Sequence, residues 1–185
     1  VAPYHLGFLL GPRINAGGRI GDAALGARLL SLDDPAEAEL IAVELDDLNK
    51  QRQAIETAML EEAVAEADAE IGAGEGPAVI VTASERWHPG IVGLIAARLK
   101  ERFRRPAFAV ALMPNGMGTG SGRSVSGVDL GALVRGAVEN GILVKGGGHA
   151  MAAGLTIDPA RFGEFRAFLE AGAAEASRRA RQADQ

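Results

Sequence analysis

Lys145-Gly146-Gly147-Gly148-His149 is the sharpest chemical signal in this 185-residue chain. Three glycines in a row weaken any regular element, because glycine loses the most freedom on folding. Such a run persists where the backbone takes unusual angles or touches a ligand. Successive peptide N–H groups there can form a concave nest for an anion. Lys145 adds a charge and His149 a donor able to carry a proton. A flexible glycine turn with a surface histidine accounts for the same string, and the pattern alone does not choose. Ser121-Gly122-Arg123-Ser124 offers two hydroxyls and a guanidinium, and the arginine fork matches phosphate oxygens bidentately. Its alternative is a surface arginine in a hairpin, which Asn115-Gly116 just upstream supports. Trp87-His88-Pro89-Gly90-Ile91-Val92-Gly93 stands where a strand meets a helix, so helix N-terminal amides can face an anion. Trp87 either stacks on a base or plugs the core. Arg13, Asn15 and Arg19 lie between glycines and suit phosphate or sugar contacts, or else are solvated loop residues.

Absent chemistry narrows the field. The three histidines (5, 88 and 149) are isolated, and no HxH, HExxH or DxD pair occurs. Asp33-Asp34 and Asp46-Asp47 are adjacent on or at a helix, so each pair diverges. A two-metal phosphoesterase site needs a cluster of carboxylates and imidazoles, and no metal ligand is assigned. There is no Walker motif and no strand-to-helix GxGxxG. With zero Cys, disulfides, thiolate zinc sites and cysteine nucleophiles are excluded. No apolar run reaches the roughly 20 residues of a membrane span, no leader is visible, and the cytoplasm is the default expectation. Val1 rather than Met at the start suggests a piece of a longer protein.

The elements that must position these groups fall into an α/β plan. Residues 1–32 are Gly-rich, carry a net charge of +2, and are too short to own a core. Gly11-Pro12 is expected to break any helix there, with Gly17-Gly18 as a second hinge. Residues 33–75 carry −12. Asp34 as cap, Pro35 in the first turn and no further Gly or Pro before Gly72 predict one long helix. Its stripe of Ile41, Leu45, Leu48, Ile55 and Met59 is narrow, and 37 residues would span about 55 Å. After a linker at 73–78, residues 76–172 predict a compact mixed-sheet α/β domain. Its strands are expected at Ala78–Thr82, Ala107–Met113, Met117–Val125 and Ala152–Ile157. Helices are expected at Pro89–Arg102, from Ser126 to Gly141, and from Asp158-Pro159 onward. Residues 173–185 are expected to fray. Residues 76–185 carry +5, so acid sits in one block between two basic ones.

Taken in order, GPRINAGGR, the long acidic helix, SERWHPGIVGLIAARL, SGRS and GGGHAMAAGLT resemble the RecJ family of bacterial single-stranded-DNA exonucleases, within the DHH phosphoesterase superfamily. The resemblance covers roughly residues 5–170. GGGH is shared across the superfamily's DHH-associated domains, whereas WHPGIVG with GPRIN is more specific. The resemblance implies 5′-to-3′ degradation of single-stranded DNA in repair and recombination, with manganese or magnesium held by an N-terminal DHH domain whose motifs are missing here. Residues 1–32 would be the last segment of that domain and 33–75 a connector. Residues 76–172 would be the DHH-associated domain, and 173–185 would lead to an oligonucleotide-binding OB domain. Arg13, Asn15 and Arg19 would lie near the substrate cleft. Ser121, Arg123 and Ser124 would bind DNA phosphates, with His88 in the same binding group. Gly146, Gly147, Gly148 and the catalytic His149 would approach the phosphate under attack. These groups would converge on one pocket, in a monomer that is inactive without its metal domain. Two other readings stay open: a phosphodiesterase of cyclic dinucleotides or nanoRNA, which GGGH suits and WHPGIVG opposes, and a non-enzymatic module dimerising through the long helix.

Overall fold

The computed structural model describes residues 2–183. Two compact units divide between Ala58 and Met59. In the first, a wide helical turn at His5–Leu10 continues into α1 (Gly11–Ile20). The break expected at Gly11-Pro12 does not occur. Pro12 stands at the start of α1, where the wide turn passes into α-helix. Gly17 and Gly18 are likewise helical rather than a hinge. Position 17 is small because a Cβ there would come within 2.5 Å of the Asp22 carbonyl oxygen. Helix α2 (Ala24–Ser31) follows after Asp22 Oδ1 accepts from the Ala24 N–H at 2.8 Å.

Helix α3 runs from Pro35 to Ile71, as its residues predict. Asp34 Oδ1 accepts from the Ala36 N–H at 2.9 Å, the capping bond that satisfies an otherwise orphaned donor. Ile41 and Leu45 are buried with Leu25, so the N-terminal segment shares a core with the helix. Between Leu48 and Ile55 the buried face continues through two polar residues that an apolar stripe overlooks. Asn49 is 3% exposed and Arg52 8%. The Arg52 guanidinium donates to Asn49 Oδ1 at 3.1 and 3.2 Å and pairs with Glu56, which satisfies a charge that burial alone would strand.

The second unit is built on a five-stranded sheet in the order β1-β2-β3-β5-β4. Its strands are β1 (Ile80–Ser84), β2 (Ala107–Leu112), β3 (Gly118–Arg123), β4 (Lys145–His149) and β5 (Ala152–Ile157). Strands β1 and β2 are parallel, joined through α4 (Val92–Phe103), and every other pairing is antiparallel. The glycine run is therefore an edge strand and not a nest-forming turn. One face packs Val81, Phe108, Val110, Leu155 and Ile157 against Leu130 and Val134 of α5 (Leu130–Glu139) and Phe165 and Leu169 of α6 (Phe162–Ala183). Bulk on β2 fits absence on β3. A Cβ at Gly122 would stand 2.3 Å from Phe108, and at Gly118 or Gly120 2.8 Å from Val110. On the other face, α4 buries Ile95, Ala96 and Leu99 over β2 and β3.

Two helix boundaries differ from expectation. Asp129, not Ser126, caps α5, accepting from the Ala132 N–H at 2.9 Å. The segment expected to fray is helical to Ala183, with Ala173 buried and the Ser177 hydroxyl donating to the Ala78 carbonyl at 2.8 Å. Trp87 is a core plug, 4% exposed, whose indole N–H donates to Glu62 at 3.0 Å. No helix among the described residues is long and apolar enough to cross a membrane.

The outer edge of β1 is closed by side chains. The Ala83 N–H donates to Glu66 at 3.2 Å, the Ser84 hydroxyl to Glu62 at 3.0 Å, and Arg166 to the Val81 carbonyl at 2.6 Å while pairing with Glu70. Arg86 beside Glu62 lowers that carboxyl, whereas burial pushes Glu66 above the usual range against the pull of the Ala83 bond. A raised acid holds its proton more tightly when folded, so stability falls as pH climbs from the ordinary carboxylate value to the folded one. Glu66→Gln, which keeps a carbonyl acceptor for Ala83, should melt higher than the parent at neutral pH. The advantage should vanish near about pH 4, where Glu66 itself is protonated. Melting curves at both pH values decide it, and a variant that melts lower at neutral pH refutes the assignment.

Candidate nucleic-acid interface

Strand register assembles the site. Arg123 stands opposite Ala152, and Ala152 opposite His149, so the three form one row across β3, β5 and β4. Directly paired residues share a sheet face. Two strand spacings put Arg123 and His149 about 10 Å apart along that row. The next row is Ser121, Gly154 and Gly147, and the third is Thr119, Thr156 and Lys145. The middle row is nearly bare: a Cβ on Gly147 would meet nothing within 4 Å, and one on Gly154 only the Gly120 carbonyl at 3.8 Å. A polar face thus lies open to solvent, floored by backbone at its centre and fringed by a guanidinium, an imidazole and an ammonium. An open cavity of about 400 Å³ occupies its Lys145 end, lined also by Thr119, Gly154 and Thr156. The arrangement is an exposed face with Arg123 and His149 in one row.

The three glycines of the run have different causes. Gly146 and Gly148 point to the packed side. A Cβ on Gly146 would come within 2.6 Å of Val134, and one on Gly148 within 2.3 Å of the Ala152 carbonyl. Gly148 also has φ +152°. Helix α5 lies so close that a Cβ on Gly131 would stand 2.7 Å from the Gly148 carbonyl, which accepts from Arg135 at 3.1 Å. Of the three, only Gly147 has room for a Cβ.

Arg123 is held from two sides. Its guanidinium donates to the Gly122 carbonyl at 2.8 Å and abuts α4, where a Cβ on Gly93 would come within 3.0 Å of Nη2 and 3.6 Å of Ser121 Oγ. That contact joins the WHPGIVG stretch to SGRS. Ser124 and His88 each make a local hydrogen bond. Ser124 is 1% exposed and its hydroxyl donates to the Val128 carbonyl at 2.6 Å, so it braces the turn after β3 instead of facing the open side. His88 Nδ1 accepts from the Gly90 N–H at 3.1 Å, which ties the turn before α4. Arg13, Asn15 and Arg19 belong to the first unit. There Arg13 donates to Asp46 and to the Leu9 carbonyl, both at 2.7 Å, and Lys50 and Arg13 together hold Asp46 below the usual carboxylate range. Asn15 is exposed and Arg19 half-buried. Thr119, Gly154 and Thr156 escape motif reading, although odd numbering along β3 and even numbering along β5 is the signal that finds them.

No group of three or more His, Asp or Glu side chains converges among the described residues. The residues present do not fit a divalent metal, and no metal-dependent step is assigned to them.

Residues 76–175 match the DHHA1 domain. The chain belongs to the DHHA1 family. It is 43% identical to the single-stranded-DNA-specific exonuclease RecJ of Dickeya dadantii and 40% identical to that of Thermus thermophilus. Those alignments cover 87% and 92% of this chain but 28% and 24% of the relatives. Among solved structures, the Thermus thermophilus RecJ in complex with Mg²⁺ has a TM-score of 0.80 at 38% identity, over 92% of this chain and 26% of that one. Exonuclease RecJ bound to manganese has a TM-score of 0.77 at 39% identity, over 92% of this chain and 41% of that one. The DHHA1 sheet described above is thus shared with RecJ structures, and the chain spans about a quarter of the curated relatives it matches.

The glycine causes separate experimentally. Gly148→Ala should lower the unfolding free energy of the DHHA1 unit by about 1–3 kcal/mol through overpacking. Gly147→Ala should change it by less than about 0.5 kcal/mol. Urea unfolding measures both, and equal losses would remove the distinction between a packed and an open side.

Proposed function

We propose that this chain is the substrate-gripping portion of a RecJ-like 5′-to-3′ exonuclease of single-stranded DNA, acting in DNA repair and recombination in the cytoplasm. The observation that carries the reading is the open row of Arg123 and His149 above the bare Gly147–Gly154 floor. Ser121 and Arg123 hold a phosphate, the serine by its hydroxyl and the arginine by paired N–H donors. The backbone at Gly147 admits the strand close to the sheet, where any side chain would hold it off. His149, exposed at the sheet edge, donates to charge developing on the phosphate under attack. Arg13, Asn15 and Arg19 are the first unit's own contacts to single-stranded DNA, Arg13 while keeping Asp46 as its partner. Manganese or magnesium belongs to a DHH domain elsewhere in the polypeptide, and this chain, a monomer, is inactive alone. An OB domain of that polypeptide is the further partner for the strand.

The test is anisotropy with a 5′-phosphorylated oligothymidylate labelled at its 3′ end. Arg123→Gln should weaken binding about tenfold, the worth of one charge-assisted hydrogen bond, and should flatten the salt dependence, since each phosphate contact contributes a slope of about −0.7. The melting temperature should stay put. An unchanged affinity rejects the proposed grip. Nuclease activity of the chain alone with manganese would reject the division of labour.

A further inference from the structure

Beyond the Arg123 row the sheet ends in two turns, and the geometry points to a second phosphate subsite there, for the adjoining stretch of the same strand. The inference rests on the proposed grip at Arg123. After β3 the chain turns through Ser124, Val125 and Ser126, and the β4–β5 hairpin turns at Ala150-Met151. The two turns are linked, because the Ser124 N–H donates to the Met151 carbonyl at 3.0 Å. The C-terminal end of α4 faces them across an open cavity of about 330 Å³. Lys100 and Arg104 line one wall, and Ser126 and Met151 the other.

Four observations agree on an anion with an apolar neighbour. Lys100 is half-buried, and its ammonium has no hydrogen bond or ion pair among the described residues. The acid in the wall, Glu101, is already paired with Arg98 at 3.2 Å. Arg104 ends α4 at φ +51°, and among the described residues it is the sole non-glycine with a positive φ. Glycine is favoured at such a helix end, and the arginine there sets a guanidinium on the cavity wall. Met151 is 51% exposed at the rim, where its flexible thioether is accessible to an apolar surface. A phosphodiester between Lys100, Arg104 and the Ser126 hydroxyl, with its base against Met151, uses all four. Arg123 immediately precedes Ser124, so a strand gripped at the first site reaches the second without leaving the surface.

The experiment compares a 5′-phosphorylated thymidine dinucleotide with a dodecamer on the full chain, using Lys100→Gln and Arg104→Gly together. The dodecamer should bind about tenfold more weakly with a salt slope shallower by about 1.4, two contacts' worth. The dinucleotide should be unaffected. Arg104→Gly alone should leave the melting temperature equal or higher while weakening the dodecamer, a combination that a purely structural arginine would not give. Undiminished dodecamer binding, or an equal loss on the dinucleotide, overturns the second subsite and leaves the Arg123 grip standing. Failure of the parent chain to bind either probe overturns both.

Discussion

Phe108 occupies the space that a side chain at position 122 would need, and the rest of the second unit follows from that interlock. With Val110 against Gly118 and Gly120, it lets β3 carry no bulk on its packed side while β2 carries a great deal. Packed interiors tolerate neither a void nor an extra methyl, so β3 is fixed in register by its absences. Register then decides which residues look outward. Ser121 and Arg123 face the open side because Gly120 and Gly122 face Phe108 and Val110. The same logic repeats on β4, where Gly146 and Gly148 yield to Val134 and β5 and leave Gly147 turned out.

The sheet treats its two edges differently. Strand β1 is sealed by Glu62, Glu66 and Arg166, which take up backbone and side-chain groups that an edge would expose. Part of the acidity of α3 is thus structural, spent on an edge strand rather than on solvent. Strand β4 has only Arg135 on the Gly148 carbonyl and stays exposed. The uncovered edge and the polar face meet at His149.

The long helix, β2, α5 and β5 were legible because caps, apolar periodicity and β-branched or alanine-rich runs act over a few residues. Asp34 announces its helix by a local hydrogen bond, whereas for α5 the sequence pointed to Ser126 and the cap is Asp129. Pro12 misleads because a proline in a first turn and a proline that breaks a helix look alike in sequence. The glycine run misleads for another reason. A strand made of Gly146, Gly147 and Gly148 has no propensity of its own and exists because β5 and α5 supply its partners. Asn49 and Arg52 were invisible to an apolar stripe because each is buried through the other. As for the site, Ser121, Arg123 and His149 were readable as residue types, but their common row depends on pairings between strands far apart in sequence. Ser124 shows the limit most plainly: adjacent to Arg123, it lies just past the end of β3, where its hydroxyl is taken by the Val128 carbonyl.

Gly122 and Ser124 sit in the same four-residue string as Ser121 and Arg123, yet they answer to Phe108 and to the Val128 carbonyl. Within SGRS, then, two letters answer to the interior and two are turned away from it. Descendants of this chain could trade its ligand and still be unable to alter half of the motif, unless Phe108 shrank in the same lineage.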